Sequence, residues 1–116
     1  ALVATGFSYH VEQRREQAQR IAGVIPRIRD IRRLGAAATD LCYLAAGRID
    51  VFYEQWLGPW DWAAGDLIAR EAGCRTGRLD GGPIDASGVL AANPALFDAM
   101  VELLKVTEPG RDPGIM

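Results

Sequence analysis

Short apolar runs with strand composition alternate with longer segments of helical composition along almost the whole chain. No feature of the sequence constrains the fold more. Leu2–Phe7, Ile28–Leu34, Asp50–Glu54, Arg75–Leu79 and Val89–Ala92 read as strands, on their β-branched and aromatic content or their alternation. Between them lie helical patterns at Glu12–Gly23, Ala36–Ala46 and Asp61–Ala72, and a last helix runs from Asn93-Pro94 to about Lys105. Each carries its own punctuation: Gly23 with Pro26, Gly47, Gly73, and an Asn cap followed by Pro at the first helical position. Such alternation predicts an α/β fold, with helices layered on a sheet.

The faces of these segments add detail. Glu12–Gly23 is charged over most of its surface, with Val11, Ala18, Ile21 and Ala22 as a thin apolar side, and reads as a solvated helix. Ala36–Ala46 is almost wholly apolar, which predicts burial on most sides. Its one acid, Asp40, then needs a partner or a neutral state. Asp61–Ala72 sets Ala63, Ala64, Leu67, Ile68 and Ala72 against Asp66 and Arg70. The tail from Thr107 to Met116, with two Pro and two Gly, is expected to fray.

Composition excludes several function classes. With 116 residues, 49% apolar and 24% charged, the chain suits one globular unit with a single core. A net charge of −2 gives no reason to expect nucleic acid or an anionic membrane as partner. No apolar run approaches the roughly 20 residues that span a bilayer, and no secretory signal pattern is present. Cys42 and Cys74 lie in apolar sequence outside any CxxC motif, and read as buried free thiols of a reducing cytoplasm. The chain opens inside a strand without an initiator Met and is expected to be a fragment.

Three places offer chemistry. Asp61 stands where Pro59-Trp60 gives way to a helix, as a helix cap or as a hard oxygen ligand for magnesium. Trp60 and Trp62 beside it could wall a pocket or join the core. Glu54 ends a strand, where α/β proteins place binding groups, although a solvated surface acid has the same signature. Gly35-Ala36-Ala37 is a strand-to-helix turn whose free N–H groups suit a phosphate or hydroxyl, or merely close packing. His10 is the only histidine, which rules out a His-based triad within the chain. Arg27, Arg29, Arg32 and Arg33 have no interleaved aromatics to stack bases and read as a surface or subunit-contact strand.

Trp60-Asp61-Trp62-Ala63-Ala64-Gly65, with Leu67-Ile68-Ala69 and Glu71-Ala72-Gly73, resembles the C-terminal signature of the inositol monophosphatase family. Arg33–Ala37, Asp40–Tyr43 and Ala45–Asp50 resemble the segments before that signature, and the likeness extends over roughly Leu2 to Leu104. Cys74 departs from it, standing where the family closes with a second small residue.

The resemblance implies the C-terminal layered unit of an α-β-α-β-α sandwich, spanning residues 1–106, with the N-terminal half outside this chain. It also implies magnesium-dependent hydrolysis of a small phosphorylated polyol by metal-activated water, with myo-inositol monophosphate first. Fructose 1,6-bisphosphate, histidinol phosphate and phosphoadenosine phosphate are the alternatives within the family, and a non-catalytic assembly module is the alternative outside it. Asp61 would ligate Mg2+ and lie close to the substrate, Glu54 would bond a ring hydroxyl, and Gly35, Ala36 and Ala37 would contact substrate. The partners implied are a sugar or polyol phosphate and a second copy in a cytoplasmic homodimer, with no nucleic acid and no membrane. The remaining metal carboxylates of such a site are absent here, so the chain alone is expected to be inactive.

Overall fold

The computed structural model describes residues 1–110. Its strands are β1 (Leu2–Thr5), β2 (Asp30–Arg32), β3 (Val51–Glu54), β4 (Arg75–Gly77) and β5 (Val89–Ala92). Its helices are α1 (Val11–Val24), α2 (Ala37–Ala45), α3 (Pro59–Glu71) and α4 (Pro94–Val106), with a 3-10 turn at Ile25–Arg27. The strands form one mixed sheet in the order β2-β1-β3-β5-β4. β1 runs parallel to both β2 and β3, and β5 runs antiparallel to both β3 and β4.

Parallel neighbours cannot be joined by tight turns, so each pair needs a crossover. α1 and the 3-10 turn connect β1 to β2, and α2 connects β2 to β3. The carboxyl ends of β1, β2 and β3 therefore share one edge of the sheet.

Alternation along the strands divides the core in two. Val3, Val51, Tyr53, Leu90 and Ala92 face one side, where Val24 of α1 and Phe97, Met100 and Leu104 of α4 cover them. Ala4, Phe52, Val89 and Ala91 face the other, against Ala37, Leu41 and Leu44 of α2 and Ala69 of α3. Helices thus cover both faces of the sheet, the α/β layering that the alternating sequence predicts.

Several boundaries and faces differ from the sequence expectations. β2 is confined to Asp30–Arg32, because Pro26 and its neighbours form the 3-10 turn and Gly35 turns the chain with φ +94°. α1 runs through Gly23, whose missing side chain admits Thr107: a Cβ there would lie 2.7 Å from Thr107 Cγ2. The buried face of α1 is Gln17, Arg20 and Val24, while Val11, Ala18 and Ala22 are exposed. Gln17 is buried because it ties down the loop after β1, accepting from Ser8 N–H at 2.8 Å and donating to Gly6 O.

α2 buries only the face that meets the sheet and α3, so Cys42 and Tyr43 are exposed. The expectation of two buried thiols fails at Cys42, which is exposed, while Cys74 is half-buried. α3 is turned the other way from its apolar pattern. Gly65, Asp66 and Ala69 are buried, whereas Leu67 and Ile68 are 49% and 44% exposed. Close packing on α2 dictates this, since a Cβ at Gly65 would lie 2.6 Å from Leu41 Cδ1.

At the chain's end the Thr107 hydroxyl donates to Leu103 O at 2.7 Å. Of the tail expected to fray, residues 111–116 lie outside the described residues.

Candidate functional site

β3 ends at Glu54, which pairs with Val89 and is half-buried. Its carboxylate rests against the backbone of Gly6 just beyond β1, where any Cβ would overlap Oε1. Burial, reinforced by the charge of Asp40, raises its pKa to about 7, with Arg33 opposing and Asp61 adding to the rise.

Asp40 lies one turn into α2 and is 1% exposed. Neither carboxylate oxygen has a hydrogen-bond partner. Burial raises its pKa to about 6, against the opposing pull of Arg33. The sequence called for a partner or a neutral state, and the structure supplies no direct partner and a raised pKa.

Asp61 is not the N-cap of α3. Gly58 is the N-cap and Pro59 opens the helix, which puts Asp61 in its first turn. From there Asp61 Oδ2 reaches back to accept the Gly58 N–H at 3.0 Å. Pro59 moves the helix start upstream because its fixed φ suits the first position and its missing N–H costs nothing there.

The turn into α2 has Gly35 at φ +94°, followed by Ala36 as an extended N-cap with no side-chain cap bond. The helix start therefore keeps backbone N–H groups that no side chain has claimed.

These parts converge. Gly35, Ala36, Ala37, Glu54 and Asp61 line a single cleft of about 330 Å³, together with Gly6, Phe7, Arg33 and Trp60. It adjoins a pocket of about 440 Å³ reaching Ser8, His10, Gln13 and Trp56, with Phe7, Tyr9, Glu54, Leu57 and Asp61 common to both. Trp60 is 86% exposed at the rim, while Trp62 packs against the core. A larger groove of about 510 Å³ beside α4 is mostly apolar and gathers no comparable polar set.

Sequence reading did not find Gly6, Phe7, Tyr9 or Trp56, nor that Arg33 faces the cleft. Their only signal is their place just after β1, β2 or β3, which becomes informative once strand pairing is known.

Asp40, Glu54 and Asp61 concentrate negative charge, with Arg33 as the cation acting on both Asp40 and Glu54. Hard carboxylate oxygens fit a divalent cation such as magnesium. Among the described residues no three His, Cys, Asp or Glu side chains group at metal-holding distances.

Fold and cleft together define a layered α/β protein with an acidic site at the carboxyl edge of its parallel strands. The chain belongs to the inositol monophosphatase family, whose model matches residues 1–107. It is 47% identical over 109 residues to "Inositol-1-monophosphatase SuhB" of Mycobacterium tuberculosis, covering 90% of this chain and 37% of that protein. It is 41% identical over 103 residues to "Nus factor SuhB" of Escherichia coli, covering 86% of this chain and 39% of that protein. Among solved structures, an inositol monophosphatase from Anabaena superposes with a TM-score of 0.86 at 31% identity, covering 95% of this chain and 45% of that one. The Mycobacterium tuberculosis SuhB structure gives a TM-score of 0.83 at 43% identity, covering 96% and 43%. The chain thus spans less than half the length of these relatives. Among the described residues, no helix is long and apolar enough to cross a membrane.

Proposed function

We propose that the chain is the C-terminal portion of a magnesium-dependent phosphatase of small phosphorylated polyols, with myo-inositol monophosphate the first substrate. The observation that carries this reading is the convergence of Asp61, Glu54 and the uncapped start of α2 in one acidic cleft, in a chain of the inositol monophosphatase family.

When bound, magnesium supplies charge to the phosphate oxygens and makes water a better nucleophile. Asp61 would hold it through its carboxylate, one oxygen of which accepts the Gly58 N–H. Glu54, at the end of β3, would accept a hydroxyl of the polyol. The backbone of Gly35, Ala36 and Ala37 would hold the substrate from the start of α2, where the helix dipole favours an anion or a polarised hydroxyl.

Two further features support the C-terminal-portion reading. Among the described residues no three potential metal ligands group at metal-holding distances, and α3 presents Leu67 and Ile68 outward, a face suited to a further layer of an α-β-α-β-α sandwich. The cytoplasmic homodimer expected from the resemblance belongs to the same reading. The test is phosphate release from myo-inositol 1-phosphate by the full-length protein, with magnesium and with a chelator.

A second reading is supported by the relatives named Nus factor SuhB, such as that of Vibrio cholerae at 39% identity. On that reading the fold serves assembly. Full function of a catalytically dead variant in the cell would favour it over the phosphatase.

A further inference from the structure

Trp56 is a cleft residue to which the proposed reaction gives no role. It is the one non-glycine residue with positive φ among the described residues, at +59°. The strain is imposed from outside: Glu54, two residues earlier, is fixed by pairing with Val89, and the Trp56 N–H donates to Ala86 O at 3.0 Å. A bridge between Asp85 and Gly88 closes the turn that carries Ala86. A bulky side chain persists in the left-handed region only where its surroundings over-determine it, and such residues cluster at ligand clamps.

The half-buried Trp56 lines the wider part of the cleft, while Phe7, Tyr9, Glu54 and Asp61 line both parts. The cleft therefore offers both aromatic rings and carboxylates. A ligand suited to both needs hydroxyl groups for the acids and a flat, weakly polar face for the rings. Cyclic polyols have that form: their hydroxyls project at the edge, and their C–H bonds present partial positive charge to the negative face of an aromatic ring. An acyclic polyol offers the hydroxyls without the rigid face.

We infer that Trp56 is a specificity-determining residue that favours cyclic over acyclic polyol phosphates by packing its indole against the C–H face of the ring. The inference rests on the phosphatase reading and names the substrate class of the same site.

The test compares kcat/KM for myo-inositol 1-phosphate and glycerol 2-phosphate in the full-length enzyme, as wild type, W56G and W56F. Glycine suits the backbone at this position, and phenylalanine keeps an aromatic face. The expected result is a fall of about tenfold in the cyclic-to-acyclic ratio for W56G, mostly through KM, with W56F within about threefold of wild type. An unchanged ratio in W56G, or a fall in W56F as deep as in W56G, overturns the inference. A deeper loss for adenosine 3′,5′-bisphosphate than for the cyclic polyol reassigns Trp56 to a nucleobase and also overturns it. If the wild type hydrolyses neither polyol phosphate, the phosphatase reading has failed. Calorimetric binding of myo-inositol 1-phosphate then decides separately: about tenfold weaker binding by W56G than by W56F supports the inference, and equal binding or no binding overturns it.

Discussion

Asp61 Oδ2 accepts a hydrogen bond from the backbone N–H of Gly58 at 3.0 Å, so a residue that lines the cleft also closes the start of α3. Substitution can separate this structural bond from the ligand role proposed for Asp61. Asp61→Ala removes the carboxylate, and is expected to cost about 1 kcal/mol through loss of its bond to the Gly58 N–H. Asp61→Asn keeps an acceptor for Gly58, and its unfolding midpoint should lie close to wild type. Urea denaturation of the two variants checks this pair of outcomes.

Asp40 predicts a pH signature. Its folded pKa of about 6 lies above the ordinary 3.8 because burial disfavours the charge. The folded state therefore holds its proton more tightly than the unfolded state. The associated stability is fully present below about pH 4 and is lost as pH rises through about 6. Asp40→Asn cannot titrate, so the stability gap between variant and wild type should shift in the variant's favour by on the order of 2–3 kcal/mol between about pH 4 and pH 8. Denaturation at the two pH values measures it, and a gap independent of pH would contradict the burial account.

Gly6 and Gly35 are both glycines of the cleft, yet they should fail differently. At Gly35 the nearest atom to an added Cβ is Arg33 Nη1 at 3.6 Å, so space is available and the obstacle is φ +94°. Gly35→Ala is expected to cost about 1 kcal/mol of stability. At Gly6 an added Cβ would overlap the Glu54 carboxylate. Gly6→Ala should displace Glu54 and raise KM for a cyclic polyol phosphate about tenfold. Unfolding midpoints and KM values measured on both variants separate backbone strain from a displaced acid.

The sequence carried the layers better than the faces. The β-branched and aromatic content of Val51-Phe52-Tyr53 and the short run Val89–Ala92 announced strands, and these residues do divide between the two cores. On α3, however, Leu67 and Ile68 point outward, because Gly65 and Ala69 allow a helix contact too close for larger side chains. Burial there follows how near α2 lies, which hydrophobicity does not encode. Gly23 misled for a related reason: it resembles a helix stop but serves as a gap for Thr107.

In the site, Asp61, Glu54 and the Gly35-Ala36-Ala37 turn were legible as residue types at element ends. That they share a cleft was not, because it depends on β1 lying between β2 and β3. The same pairing brings Phe7 and Tyr9 to the cleft from the loop after β1.

The chain by itself, residues 1–116, should release no phosphate from myo-inositol 1-phosphate at any magnesium concentration. The carboxylates among its described residues do not complete a metal site. A colorimetric phosphate assay on the isolated chain checks this, and measurable magnesium-dependent release would contradict the partial-site account.

The most direct test of the central claim is the magnesium-dependent turnover of myo-inositol 1-phosphate by the full-length protein carrying Asp61→Asn. The account predicts a loss of at least about 100-fold in kcat, equivalent to roughly 3 kcal/mol of transition-state stabilisation, with the unfolding midpoint close to wild type. Turnover equal to wild type in a folded Asp61→Asn protein would remove Asp61 from the metal site and contradict the account.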